Sequence, residues 1–213
     1  MPGDWELDAA LLEAWRKGDG QAGERLFDRH ADAVARFFEN KVRVGAEDLT
    51  QTTFERLIKG RDRVREGVAF RAFVLGIARN VMREHLRELA RGREVDPEVE
   101  AMADLAPGPT TAVGRREEER LLLEGLRRLP VNFQILLELH YWEGLSGRDI
   151  GAVMDRPSST IRGQLVQARK LLRDAMEEIA ASTELLDNTV SDLDGWATEL
   201  RDQFQSDRAT DTG

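Results

Sequence analysis

The stretch "LSGRDIGAVMDRPSSTIRGQLVQARKLL", residues 145–172, decides how this chain is read. Ser146 can cap a first helix that carries Ile150, Val153 and Met154. Asp155-Arg156-Pro157 then breaks it. Proline cannot continue a helix, and aspartate tolerates a left-handed conformation better than most residues. Ser158 or Ser159 is placed to cap a second helix. There Ile161, Leu165, Ala168 and Leu172 recur at steps of four and three and form an inward stripe. The opposite side presents Ser159, Gly163, Val166, Gln167 and Lys170, flanked by Arg162, Arg169 and Arg173. This is the layout of a helix-turn-helix, whose second helix turns its outward side into the DNA major groove. Arginine suits guanine there and glutamine suits adenine. Taken alone, the stretch also fits a helical hairpin with a solvated basic face.

Composition frames that motif. The chain has 213 residues, room for one large domain or two small ones. Charged residues make up 33% and aromatics only 6%, which suits small helical domains with a wet surface. No apolar run approaches the roughly 20 residues of a bilayer span, so no membrane insertion is expected. The start, "MPGDWELDAA", lacks the basic and apolar regions of a secretory signal. Absence of cysteine excludes disulfides and thiolate metal sites and fits a cytoplasmic protein. Only four of the 31 basic residues are lysine, a hint of a GC-rich genome. A net charge of -9 argues against binding nucleic acid over the whole surface.

The charge is unevenly spread. Residues 59–94 hold ten basic side chains against five acids, and residues 158–174 hold four against one. Phosphate attraction acts within a Debye length of roughly 8–10 Å, so a basic patch can serve an acidic protein. The acidity lies largely in residues 95–114, with Pro97, Pro107 and Pro109, four acids and no basic residue, and in the tail from residue 180. The first reads as an extended acidic linker. The second has eight acids against Arg201 and Arg208. It still spaces Leu186, Val190, Leu193, Trp196, Leu200 and Phe204 as an amphipathic helix, interrupted by Gly195.

Helical periodicity prevails elsewhere, and the expected class is all-α. "LLEAWRKG" reads as a short helix. "AGERLFDRHADAVARFFENKV" places Leu26, Ala33, Phe37 and Val42 near one face. "AEDLTQTTFERLIKG" starts near Asp48 and stops at Gly60. The long helix "AFRAFVLGIARNVMREHLREL" has Phe70, Phe73, Val74, Ile77, Val81 and Leu86 as its apolar positions. His30, His85 and His140 lie far apart and form no metal or catalytic constellation, and His85 reads as solvated. The expected organisation is a helical domain at 1–94, the linker at 95–114, a helix-turn-helix domain at 115–179 and an extension at 180–213.

These motifs together resemble the sigma-70 superfamily of RNA polymerase sigma factors, specifically the extracytoplasmic-function type. "RRLPVNFQILLELHYWEGLSGRDIGAVMDRPSSTIRGQLVQARKLLRDAM" is similar to sigma region 4, with its Leu-Pro start, "YWEGLS" lead-in and Thr-Ile-Arg…Ala-Arg helix. "EDLTQTTFERL" and "FRAFVLGIARNVMREHLR" are similar to two segments of region 2. The resemblance implies a promoter-specificity subunit. Region 2 would dock on the clamp of the RNA polymerase core and open the -10 element, and region 4 would sit near the flap and read the -35 element.

On these positions it implies core-polymerase contacts at Asp48, Gln51 and Arg56. It implies -10 contacts at Arg63, Arg65, Phe70, Phe73, Arg79, Asn80 and Arg83, where strand opening needs pockets for unstacked bases and cations for phosphates. Phe73 stands where the family has tryptophan and fits a core position as well. The implied -35 contacts are Ser159, Thr160, Arg162, Gly163, Val166, Gln167, Arg169 and Lys170. Three departures stand out: Gly163 and Gln164 replace serine and a basic residue, Gln167 stands where arginine is frequent, and "VNFQ", 131–134, replaces a more charged stretch. Gly163 costs the helix about 0.5–1 kcal/mol against alanine and permits close approach to DNA. The implied partners are RNA polymerase core, promoter DNA and an anti-sigma factor. No cofactor or metal is implied. The competing reading is a stand-alone helix-turn-helix regulator, which has no need of the region 2 segments. No nucleophile–base pair supports an enzyme. The acidic extension reads as a regulatory amphipathic helix that packs on region 2, region 4 or polymerase, or as a partly disordered tail.

Overall fold

The computed structural model describes residues 4–39, 41–42, 44–64, 69–91, 117–191, 193 and 195. The expected linker at 95–114 and the apolar positions Trp196, Leu200 and Phe204 lie outside the described residues, as does Arg65. Among the described residues every regular element is helical, so the chain is all-α.

The first half contains α1 (Asp4–Arg16), α2 (Gly20–Glu39), α3 (Ala46–Gly60), a 3₁₀ turn (Arg61–Arg63) and α4 (Phe70–Leu89). Their apolar stripes converge on Leu26, Val34, Phe38, Leu57, Val74, Leu75, Met82 and Leu86, all buried. The reading of α2 holds: Leu26, Ala33, Phe37 and Val42 are all buried. Helix α1 is longer than its short apolar core suggests. Trp15 meets Phe27 edge-on at 5.4 Å. Arg16 donates to the carbonyls of Arg61 and Val64, at 3.0 and 2.7 Å. These bonds fasten the N-terminal helix to the turn that leaves α3.

The second half contains α5 (Glu117–Arg127), α6 (Val131–Tyr141), α7 (Gly147–Met154), α8 (Ser158–Glu177) and α9 (Thr183–Ser191). Helices α7 and α8 are the helix-turn-helix. The Ser146 side chain accepts from the Asp149 backbone N–H, as a cap should, and Asp155 is left-handed at φ 55°. Gly151 makes the turn compact: a Cβ there would lie 2.7 Å from the Arg156 carbonyl oxygen. The start of α8 differs from expectation. Neither Ser158 nor Ser159 caps it. The extended Pro157 precedes the first turn, and its carbonyl accepts from the Thr160 and Ile161 N–H groups at 2.9 and 3.3 Å. Proline's fixed φ sets the chain so that the helix begins at Ser158 itself, without a side-chain cap.

The sequence left open whether the extension's amphipathic helix packs on region 2, region 4 or polymerase, and it gave no sign of a contact between the two halves. The extension folds back as α9 onto α5 and α8, burying Leu186 and Thr189. Ser182 opens it by accepting from the Leu185 N–H at 3.1 Å. The two halves also touch, with α4 against α7. A Cβ built on Gly76 would sit 3.9 Å from the Val153 Cα, an ordinary packing distance, so α7 passes close to α4 there.

Candidate nucleic-acid interfaces

Helix α8 divides as its periodicity requires. Ile161, Ala168 and Leu172 are buried and Leu165 is half-buried. Ser159, Thr160, Arg162, Gly163, Val166, Gln167, Arg169 and Lys170 are all exposed. Packing against α6 and α7 holds the inward stripe, so the outward side projects as a ridge. Val166 is 63% exposed, an apolar patch suited to a thymine methyl. Space around Gly163 is open, since a Cβ there would meet nothing within 4 Å. Its small size therefore serves nothing inside the protein. Arg169 does not float: its Nε donates to the Tyr141 hydroxyl at 2.7 Å, with the guanidinium 5.5 Å from the ring centre. Arg173 pairs with Glu177 on its own helix and with Asp187 on α9.

The second basic area lies on α4 and the turn after α3. Arg63 and Asn80 are exposed, while Phe73 and Arg83 are half-buried. These four line a cleft of about 480 Å³ with Arg56, Lys59 and Arg87. Lys59 and Arg87 were not singled out from the sequence. Their signal was the steps of three and four that place Arg83 and Arg87, and Arg56 and Lys59, on shared helix sides.

Two expected members are placed otherwise. Phe70 is 4% exposed, its ring 5.1 Å from that of His30, so it is a core residue here and not a surface for a base. It opens α4, where the helix is wedged against α2. Arg79 is 6% exposed and its Nη2 donates to the Asn132 side chain at 3.4 Å. The other half of the molecule thus covers it.

On α3, Asp48 and Gln51 are exposed. Arg56 is separated from them, because eight residues of helix turn it toward α4. Both its Nη atoms donate to Glu84, at 2.8 and 2.6 Å. That bond raises the Arg56 pKa and lowers that of Glu84, so both stay charged. Arg56 therefore belongs spatially to the cleft. His85 is half-buried, which pulls its pKa down, against the expectation of a solvated side chain. His30 also has a defined place: its Nε2 lies 2.8 Å from Asp8. Burial works to raise the Asp8 pKa, but the bonds from His30 and Arg29 outweigh it and hold that carboxyl below its usual value.

Comparison with known proteins fits this arrangement. Residues 26–92 match the family described as Sigma-70 region 2, and residues 119–172 match Sigma-70, region 4. The RNA polymerase sigma factor CarQ of Myxococcus xanthus is 32% identical over 175 residues, covering 79% of this chain and 97% of its own. The RNA polymerase sigma-H factor of Pseudomonas aeruginosa is 27% identical over 190 residues, covering 82% and 96%. The chain belongs to the sigma-70 family of RNA polymerase sigma factors, in the extracytoplasmic-function group.

Among solved structures, CnrH in complex with the cytosolic domain of CnrY has the same fold, with a TM-score of 0.56 at 21% identity, covering 83% of this chain and 99% of that one. The sigma factor RpoE bound to the anti-sigma factor NepR, from Bartonella quintana, gives 0.55 at 21%, covering 74% and 98%. The region 4 match ends at residue 172, so α9 lies beyond it. Among the described residues no helix is long and apolar enough to cross a membrane.

Proposed function

We propose that this chain is a promoter-specificity subunit that acts in the cytoplasm, binds RNA polymerase core and directs it to -35 and -10 elements. It binds and opens DNA and carries out no chemistry itself. The observation that carries the reading is α8, an exposed basic and polar ridge on a packed stripe, entered through a left-handed Asp155. In that role Arg162, Val166 and Gln167 reach base edges around Gly163, while Arg169 and Lys170 meet phosphates. Tyr141 holds Arg169 ready, which lowers the ordering cost of the contact.

On the first half, Asp48 and Gln51 face the polymerase clamp. Asn80 and Phe73 offer polar and aromatic contacts to an unstacked base, with Arg63 and Arg83 on the strand's phosphates. Arg65, Phe70, Arg79 and Arg56 complete the expected set. For Phe70 the supporting role is to fix the start of α4, and Arg56 fits the -10 cleft better than the clamp. CnrH and RpoE were each captured with a partner, CnrY and the anti-sigma factor NepR, and an anti-sigma protein belongs to the proposal for this chain. The domain boundaries at residues 94, 114 and 179 belong to it too.

The test is reconstitution. Purified chain is mixed with core polymerase and a library of promoter fragments, and run-off transcripts are sequenced. Transcripts sharing two elements at fixed spacing are expected. DNA binding without core binding would favour the stand-alone regulator instead.

A further inference from the structure

The contact between the two halves is built from buried ions. Lys41, just after α2, is 0% exposed, and its Nζ pairs with Glu138 of α6. Glu143, just after α6, lies between Arg36 of α2, at 3.4 Å, and Arg71 of α4. The cations all come from the first half and the acids from the second. Gln134 supports the pair by donating to Glu138 at 3.0 Å. Asn132 accepts from Arg79. Both belong to "VNFQ", the stretch where this chain departs from its family's more charged pattern. Two of those four residues thus serve the contact between halves.

We propose that Lys41–Glu138 and Arg36–Glu143–Arg71 form a latch that holds the two halves closed and that must part before α4 can take the -10 strand. The inference rests on the promoter-subunit reading for what the latch controls. In the closed arrangement α7 lies along α4. The cleft between them, about 790 Å³, has Arg63, Arg79 and Arg83 on one wall and Arg148 and Arg156 on the other, with Asp155 as the acid among them. Like charges on both walls oppose closure, so the attraction must come from elsewhere, and the ion pairs with the apolar α4–α7 contact supply it.

Distance makes opening necessary. Elements named for positions -35 and -10 are about 25 base pairs apart, which at 3.4 Å each is roughly 85 Å. Helix α7 touches α4 and is joined to α8 by three residues, so α8 cannot reach one element while α4 engages the other. An ionic latch suits such a joint. Burial lowers the Lys41 pKa and raises that of Glu138, each against the pull of its partner. Both ions give up water to pair, and they regain it on parting. A purely apolar joint has no such return and is harder to open.

The chain has no cysteine, which permits a direct test. A Gly76→Cys/Val153→Cys variant places two thiols at the α4–α7 contact, where a short reducible bifunctional thiol reagent can bridge them. The free protein should cross-link readily. The cross-linked form should lose at least tenfold in binding a single-stranded -10 oligonucleotide with core and in transcription, and reductive cleavage of the bridge should restore both. Adding Glu143→Arg should slow cross-linking at least tenfold, and Arg36→Glu with Arg71→Glu on that background should restore the rate. Unchanged cross-linking with Glu143→Arg, or a cross-linked form that initiates as well as the cleaved one, overturns the latch. If protein with the bridge cleaved gives no transcript, the promoter reading falls, and the cross-linking rates still decide the latch.

Discussion

Helix α8 turns its basic side to solvent, whereas α4 lies with its basic stretch partly under α7. Both carry arginines spaced along one helix side. The difference is in what each opposite side packs against. Helix α8 rests on its own half and leaves its ridge bare. Helix α4 is buried on one side by α2 and α3 and approached on another by the second half. Charge pattern alone therefore does not tell a surface ready for DNA from one that must first be uncovered.

The contrast can be broken in order of expected effect. Glu138→Ala leaves Lys41 buried without its carboxylate, and unpaired buried charges of this kind cost about 3–5 kcal/mol. Urea unfolding should show that loss, and the double variant Lys41→Met/Glu138→Leu should recover most of it. A single variant as stable as the parent, with its halves still closed by the cross-linking rate, contradicts the burial of the pair.

Gly151→Val forces a branched side chain against the Arg156 carbonyl, with an overpacking cost of about 1–3 kcal/mol. It should abolish -35 duplex binding and leave cross-linking between halves measurable. Preserved duplex binding would show that the turn between α7 and α8 adapts.

Gly163→Leu sharpens the comparison from the exposed side. Nothing in the protein opposes the new side chain, and helix propensity improves by somewhat under 1 kcal/mol. The melting temperature should hold or rise while -35 duplex affinity falls about tenfold, which is about 1.4 kcal/mol. Equal affinity in a binding titration would remove Gly163 from the groove-facing side.

The smallest effect belongs to Arg56 and Glu84. Their pair is bidentate but largely exposed, so a double-mutant cycle should give a coupling below about 1 kcal/mol. Arg56→Ala should weaken the binding of a -10 oligonucleotide more than the binding of core. The reverse outcome returns Arg56 to the clamp-facing set with Asp48 and Gln51.

The helix-turn-helix was legible because its signals are local. Ser146, Asp155 and Pro157 act within a turn of their own position, and the apolar stripe of α8 has one period throughout. The buried ions were hidden for the opposite reason. Lys41 follows "FFEN" and looks like a solvated end of α2. Glu138, inside the apolar run "ILLELHYW", did offer a warning, since an acid amid leucines needs a buried partner. Its partner lies 97 residues away, and no periodicity connects them.

The sequence by itself determined the helices, the inward and outward sides of α8, the family motifs and the separation of basic helices from acidic segments. These follow from backbone rules and residue spacing acting over a few residues. Tertiary structure alone decided that Phe70 is core, that Arg56 faces the cleft, that α9 folds onto α5 and α8, and that α7 shields α4. Each depends on which surfaces meet after long stretches of chain, and there shape and charge complementarity, not local pattern, select the contact.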